Sequence, residues 1–322
     1  MGRPIWWLVL ALSGLLVLKV GGRLLGVLDP VPHPRDYRAP ALDKLTAHTE
    51  VLFLGSSHVS VGIDPERFGR PSAVVGAASV DYECLALLAP KILSRAPGVR
   101  TVVIEADIVL LWGDALGFYR GNHIQLYALG LSLRELPRSP YWKFRQSILE
   151  NRLIYPVFFA RRLTPRALAW ERQVPDSIDL SILNGHAPIH GELLPKNDGA
   201  AIVERLRPRL DPKREQANGE ALLRLVGRLE AEHCRVVLLR MPHHRTYQAA
   251  EPRVWEEATA RMVREVRERH PDVRYLDFRA CPALGDREFV DGHHMNVAGA
   301  AAFAAMLDPE LQPVIRDSDP AP

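Results

Sequence analysis

The sequence predicts an α/β protein, a three-layer α/β/α sandwich built on a mostly parallel sheet of five strands, with an N-terminal transmembrane helix and a largely helical insertion. Three observations carry this. Short apolar runs alternate with stretches whose apolar residues recur at helical spacing, both before Leu110 and after Pro212. Between those points the alternation breaks down. The opening 28 residues are nearly free of charge.

Ile5 to Leu18 is uncharged and mostly apolar, with Trp6 and Trp7 where amphipathic rings favour a membrane interface. That run is shorter than the ~20 residues a span needs. Val20 to Leu28 supplies the length if Lys19 and Arg23 snorkel to the far interface. The rival is a secretory signal beginning at Arg3 and cut after Gly21 or Gly22, and Lys19 sits awkwardly close to such a cut. Residues 1–28 are therefore read as an uncleaved anchor. Charge alone does not fix its orientation, because Arg3 opposes Lys19 and Arg23.

Residues 29–48 read as a linker. Asp29 to Pro40 holds four prolines with charges between them, and Ala41 to His48 is expected to form a short lead-in helix. The α/β domain follows in two parts, 49–110 and 212–312. Val51 to Leu54 is apolar on both faces, as a buried parallel strand requires, and Gly55 permits a sharp turn at its end. The connection through Asp64-Pro65 reads as irregular. Ala73 to Val75 makes a second strand ending at Gly76. Val80 to Leu93 then has helical spacing, with Pro90 a kink. Val102 to Ile104 is the third strand.

Residues 111–211 read as an insertion over the carboxyl edge of the sheet, the place for a lid or a substrate surface. Tyr141 to Arg162 and Thr164 to Glu171 have helical patterns, and Ser177 to Asp198 reads as loop. Regular alternation returns with Glu220 to Glu232 (helix), Val236 to Leu239 (strand), Val254 to Arg269 (helix), Val273 to Leu276 (strand) and Ala298 to Leu307 (helix). Residues 313–322 read as a tail. Such alternation implies right-handed crossovers and helices on both faces.

Composition narrows the function. A net charge of +3 spread along the chain argues against a nucleic-acid partner. The three cysteines, Cys84, Cys234 and Cys281, have no metal spacing and read as small buried residues.

Two polar blocks interrupt the apolar pattern. Gly55-Ser56-Ser57 follows the first strand, and Asp291-Gly292-His293-His294 precedes the last helix. Taken singly, the first is a common turn composition, and the second could cap the next helix through Asp291 or Asn296. Together, in this order, they supply a hydroxyl, an imidazole and a carboxylate, the kit for acyl transfer through a serine.

The two blocks resemble those of the SGNH (GDSL-type) hydrolase superfamily, a Gly-x-Ser after the first strand and an Asp-x-x-His before the final helix. The resemblance implies a flavodoxin-like sheet and matches Ser57 as nucleophile, His294 as base and Asp291 as its orienting carboxylate. It further suggests backbone donors from Ser57 and Gly76 for the oxyanion. Two departures stand out. Ser56 occupies a place where the family often has Asp, as in envelope members with Gly-Ser-Ser. After the middle strand, where an Asn usually completes the oxyanion hole, this chain has Glu105-Ala106-Asp107. An ionised carboxylate there would oppose an oxyanion, so either Asp107 points elsewhere or the donors are backbone groups and some residue of the insertion.

After the fourth strand, Arg240, His243 and His244 fall on the same expected rim and are candidate substrate-binding residues. The histidines could instead join His58 and His293 around a metal, but their spacing is not that of a usual ligand set, and neither metal nor cofactor is expected. The resulting expectation is a membrane-anchored serine esterase or O-acyltransferase outside the cytoplasmic membrane, on the periplasmic or extracytoplasmic side. The resemblance to envelope members that act on alginate and on D-alanylated teichoic acid implies acylated cell-envelope polysaccharide as substrate and a membrane acyltransferase as partner. The alternative is a non-catalytic accessory protein that keeps the fold to bind a glycan or such an acyltransferase.

Overall fold

The computed structural model describes Trp6, Trp7, residues 12–14, residues 40–115, Leu126, residues 129–131 and residues 185–317. Five strands form one parallel sheet in the order β2-β1-β3-β4-β5. They are β1 (Val51–Gly55), β2 (Ser72–Gly76), β3 (Thr101–Glu105), β4 (Arg235–Arg240) and β5 (Arg274–Asp277). All five positions of β1 and of β3 are buried, which is why these segments read as unbroken apolar runs.

Side-chain alternation divides the core into two layers. Leu52, Leu54, Val102, Ile104, Val236 and Leu238 face one side. There they meet α2 (Tyr82–Leu93), α5 (Glu215–Ala231) and α7 (Arg253–Arg269). Val51, Phe53, Val74, Val103, Val237 and Leu239 face the other, against α1 (Ser57–Gly62) and α8 (Val297–Asp317). Helices therefore cover both faces. The first connection turns from β1 outward to β2, and the later ones run the opposite way to β3, β4 and β5. This is the flavodoxin-like order, whose direction reverses between β1 and β3 and leaves a crevice at their carboxyl ends.

Several short helices lie where the sequence reads as irregular. α1 follows β1 directly, α3 (Ile108–Leu111) follows β3, α4 (Gly199–Leu206) precedes the return to the sheet, and α6 (Arg245–Ala250) follows β4. None is long enough to show a helical period. Each is instead started by a local cap, with Ser56, Asp107, Asp198 and His244 accepting a backbone N–H of the first turn. The lead-in helix expected over Ala41 to His48 is only a 3-10 turn, Pro40–Leu42.

The last helix differs in the other direction. It runs on to Asp317 through Pro309 and Pro313, so residues 313–317, half of the expected tail, are helix. Leu307, Leu311 and Ile315, spaced by four, are all buried on the second face of the sheet. Each such side chain contributes about 1.5–3 kcal/mol on burial, enough to hold the helix through two prolines.

The helices expected over Tyr141 to Arg162 and Thr164 to Glu171 lie outside the described residues, as does most of the anchor and linker. Of the anchor, Trp6, Trp7 and residues 12–14 are helical and exposed. Among the described residues no helix is long and apolar enough to cross a membrane.

Candidate active site

The site is built where β1 ends. Ser56 closes the strand and caps α1, its Oγ accepting the His58 backbone N–H at 3.2 Å. It is 1% exposed, and both its N–H (2.5 Å) and its Oγ–H (3.0 Å) donate to the Glu105 carboxylate at the end of β3. Ser57, the first helical residue, is half-buried and turns the other way. Its Oγ lies 2.9 Å from Nε2 of His294, 237 positions along the chain. Two adjacent serines thus have different fates. One is committed to the interior and the other is reachable.

His294 is held from behind. Its Nδ1 is 2.9 Å from Asp291 Oδ2, while Asp291 Oδ1 accepts the backbone N–H groups of His293 (2.9 Å) and His294 (2.8 Å). Burial alone would push the Asp291 carboxyl up. The charges that His294 and His293 carry when protonated, together with the hydrogen bonds from the His294 ring and the His293 N–H, outweigh it and hold the group well below the usual carboxylate range. An ionised Asp291 can only accept, so the proton of His294 resides on Nδ1 and Nε2 presents a lone pair to the Ser57 hydroxyl. Asp291 does not cap the following helix. Asn296 does, its Oδ1 accepting the Gly299 N–H at 3.0 Å and its amide donating to Gly191 and Arg287 carbonyls.

The loop bearing Asp291 and His294 is clamped by its glycine. Gly292 donates to the Asn197 carbonyl (2.9 Å) and accepts from the His244 N–H (3.1 Å). A Cβ on Gly292 would fall 2.5 Å from the Gly199 Cα, and one on Gly199 would fall 1.9 Å from the Tyr247 nitrogen. The end of the insertion therefore packs backbone to backbone against this loop, a contact that reading the sequence missed.

The carboxylates at and after the end of β3 have partners other than Ser57. Glu105, fully buried, binds Ser56 and also His58 Nδ1 at 2.7 Å. Asp107 caps α3 through the Val109 N–H at 2.9 Å. Burial works to lower the His58 ring, but the charge and hydrogen bond of Glu105 outweigh it and raise the group to about 9. His58 Nε2 reaches His293 Nδ1 at 2.9 Å, and burial holds His293 well below the ordinary imidazole value. A charged His58 donating to both Glu105 and a neutral His293 accounts for these contacts. The signal in the sequence was only that His58 and Glu105 end neighbouring strands.

Gly76 ends β2 opposite Gly55, and a Cβ there would meet Ser60 Oγ at 2.2 Å and the Ser56 carbonyl at 2.8 Å. It thus lies beside the turn that carries Ser57. The rim residues expected to bind substrate have other engagements. Arg240 is 3% exposed and pairs with Glu251 at 3.4 Å, so its charge is answered inside the protein. His244 is 2% exposed, with Nδ1 on Thr246 Oγ1 and Nε2 on Asp286 Oδ1, both at 2.8 Å. His243 is buried beneath them, its ring against those of His58 (5.6 Å) and Tyr247 (4.5 Å). Burial explains all three, since the end of β4 is roofed by α6 and the loop after β5.

The fold and site together define an α/β protein of flavodoxin-like strand order with a Ser-His-Asp array at its carboxyl edge. No family model and no curated protein matches the sequence. Among solved structures the chain is similar to a protein from Streptococcus pneumonia described as a candidate platelet activating factor. The identity is 12% and the TM-score 0.42, over 94% of this chain and 99% of that one. It is also similar to a protein from Bacteroides fragilis described as a candidate acylhydrolase, at 11% identity and a TM-score of 0.40, over 83% of this chain and 88% of that one.

Proposed function

We propose that the protein is a serine ester hydrolase or O-acyltransferase that works through an acyl-serine. The observation that carries this reading is the continuous chain Ser57 Oγ, His294 Nε2, His294 Nδ1 and Asp291 Oδ2, both links 2.9 Å long. As Ser57 attacks an acyl carbonyl, His294 takes its proton and then delivers it to the departing alkoxide. Asp291 fixes the tautomer and stabilises the imidazolium between those events. Water, or the hydroxyl of an acceptor, then attacks the acyl-serine with His294 again as base. The first route is hydrolysis and the second is transfer.

The oxyanion needs donors already in place, each typically worth about 3–4 kcal/mol. The Ser57 N–H is suited, because the first N–H groups of a helix have no intrahelical acceptor. Gly76 is the second candidate, by its place beside the same turn. Glu105 and Asp107, engaged with Ser56, His58 and the start of α3, leave that region without an opposing carboxylate hydrogen bond.

The finer reading is that the substrates are acyl esters, such as acetyl, of cell-envelope polysaccharide. The enzyme would be anchored in the cytoplasmic membrane by residues 1–28, with its domain outside and a membrane acyltransferase as partner. Its support is the apolar N-terminus and the likeness of the Gly-Ser-Ser block to envelope members of the SGNH superfamily.

A fluorophosphonate probe tests the core of the proposal. It should label Ser57 alone, and Ser57→Ala should lose label and reduce turnover of an activated acetyl ester by about 10⁴-fold or more. Unchanged turnover in that variant sinks the assignment and leaves the fold as a binding module.

A further inference from the structure

Behind the triad, three neighbouring strand ends converge. β1 brings His58, β3 brings Asp107 and β4 brings His243, and one ligand-capable atom of each lies within 4.8 Å of the other two. All three are buried, at 3%, 1% and 2% exposure. Among the described residues neither ring nitrogen of His243 has a hydrogen-bond partner, and neither does Asp107 Oδ2. Yet His243 Nε2 and Asp107 Oδ2 stand only 3.4 Å apart. Buried polar atoms left unpaired are costly and rare, so a cluster of them sharing one small space points to a common partner.

We propose that His58, Asp107 and His243 form a binding site for a divalent transition-metal ion of the zinc type, separate from the Ser57, His294 and Asp291 array. The donor set is two imidazoles and a carboxylate, which suits such an ion. Ligands about 2.0–2.1 Å from a tetrahedral zinc lie roughly 3.4 Å from one another, the separation of the His243 and Asp107 atoms. Glu105 on His58 Nδ1 adds the carboxylate that commonly orients a ligating histidine, with Nε2 the donor to an ion once its contact with His293 Nδ1 is given up. A cation arriving at His58 Nε2 displaces the proton of that nitrogen to solvent, while the Nδ1 contact with Glu105 is kept. The bound ion would staple β1, β3 and β4 directly beneath the reacting serine.

The test uses the full-length protein, stripped with a chelator, kept reduced and titrated with Zn²⁺ and Co²⁺. The expected result is saturable binding of one equivalent, a higher melting temperature, and Co²⁺ visible bands of a four- or five-coordinate nitrogen and oxygen site. His243→Ala and Asp107→Asn should each weaken binding at least about tenfold, whereas Ser57→Ala and His294→Ala should bind as the parent does. Absence of saturable binding by either ion overturns the proposal and assigns the space to a bridging water. So does binding that survives both His243→Ala and Asp107→Asn, or that is lost in His294→Ala. Should the first two variants fail to fold, the Co²⁺ spectrum of the unaltered protein decides. Because Ser57→Ala keeps the ion in the expected case, failure here is distinct from failure of the acyl-serine reading.

Discussion

Ser56 and Ser57 share a side-chain chemistry and differ in every neighbour. Ser56 gives two hydrogen bonds to a buried carboxylate and caps α1, while Ser57 holds the base. Ser56→Ala should therefore cost about 1–2 kcal/mol of stability, through loss of the cap and of one donor to Glu105, and should leave fluorophosphonate labelling at Ser57 in place. Chemical denaturation alongside labelling checks both halves. Which of the two serines meets His294 was legible only through the family-like block. No local property of two adjacent serines tells which one the sheet will bury. Glu105 was harder still. Its role depends on His58 and Ser56, 47 and 49 positions away, meeting it at adjacent strand ends.

At the level of elements, legibility followed length. α5 and α7, each of 17 residues, display a full apolar stripe; α7 matches its expected bounds to one residue, and α5 ends one residue early and begins five residues before the expected Glu220. α1, α3 and α6, of six, four and six residues, carry less than two turns of pattern and owe their existence to a cap. One backbone contact at the site joins two glycines, and its consequence is measurable. Gly292→Ala would push a Cβ to within 2.5 Å of the Gly199 backbone, so one segment must move. Since Asp291 and His294 ride on the moving segment, turnover should fall about 10²-fold while stability drops by only about 1–3 kcal/mol. A thermal melt and an esterase assay on the same sample separate the two effects. Equal losses in labelling and in folded fraction would refute the positioning role.

For the whole molecule, the strand order places the reversal between β1 and β3, and the reacting serine, Glu105 and Asp107 all stand at that reversal. The alternation of apolar runs sufficed to foresee the sheet and its two covered faces. It did not reveal that α6 and the loop after β5 roof over Arg240 and His244, because burial of a charged rim depends on which loops fold back. Acid sensitivity is a property of the same assembly. Asp291 has a folded-state value held below its unfolded value near 4. Its contribution to stability is thus fully present above about pH 4 and is lost as pH falls through the folded value. Asp291→Asn should flatten the decline of melting temperature below pH 4 relative to the parent, and parallel curves would show that the carboxylate adds nothing to the fold.

The Ser57 hydroxyl and the His294 ring that meet at the site are 237 positions apart, whereas Asp291 stands three positions from that ring. During synthesis the ribosome releases the nucleophile early, and its helpers emerge only after all five strands have been made. If the protein works through an acyl-serine, a nascent or truncated product ending before Asp291 is chemically silent. A covalent serine probe applied to cells would thus count finished molecules, and its signal against total antigen would report folding yield in vivo.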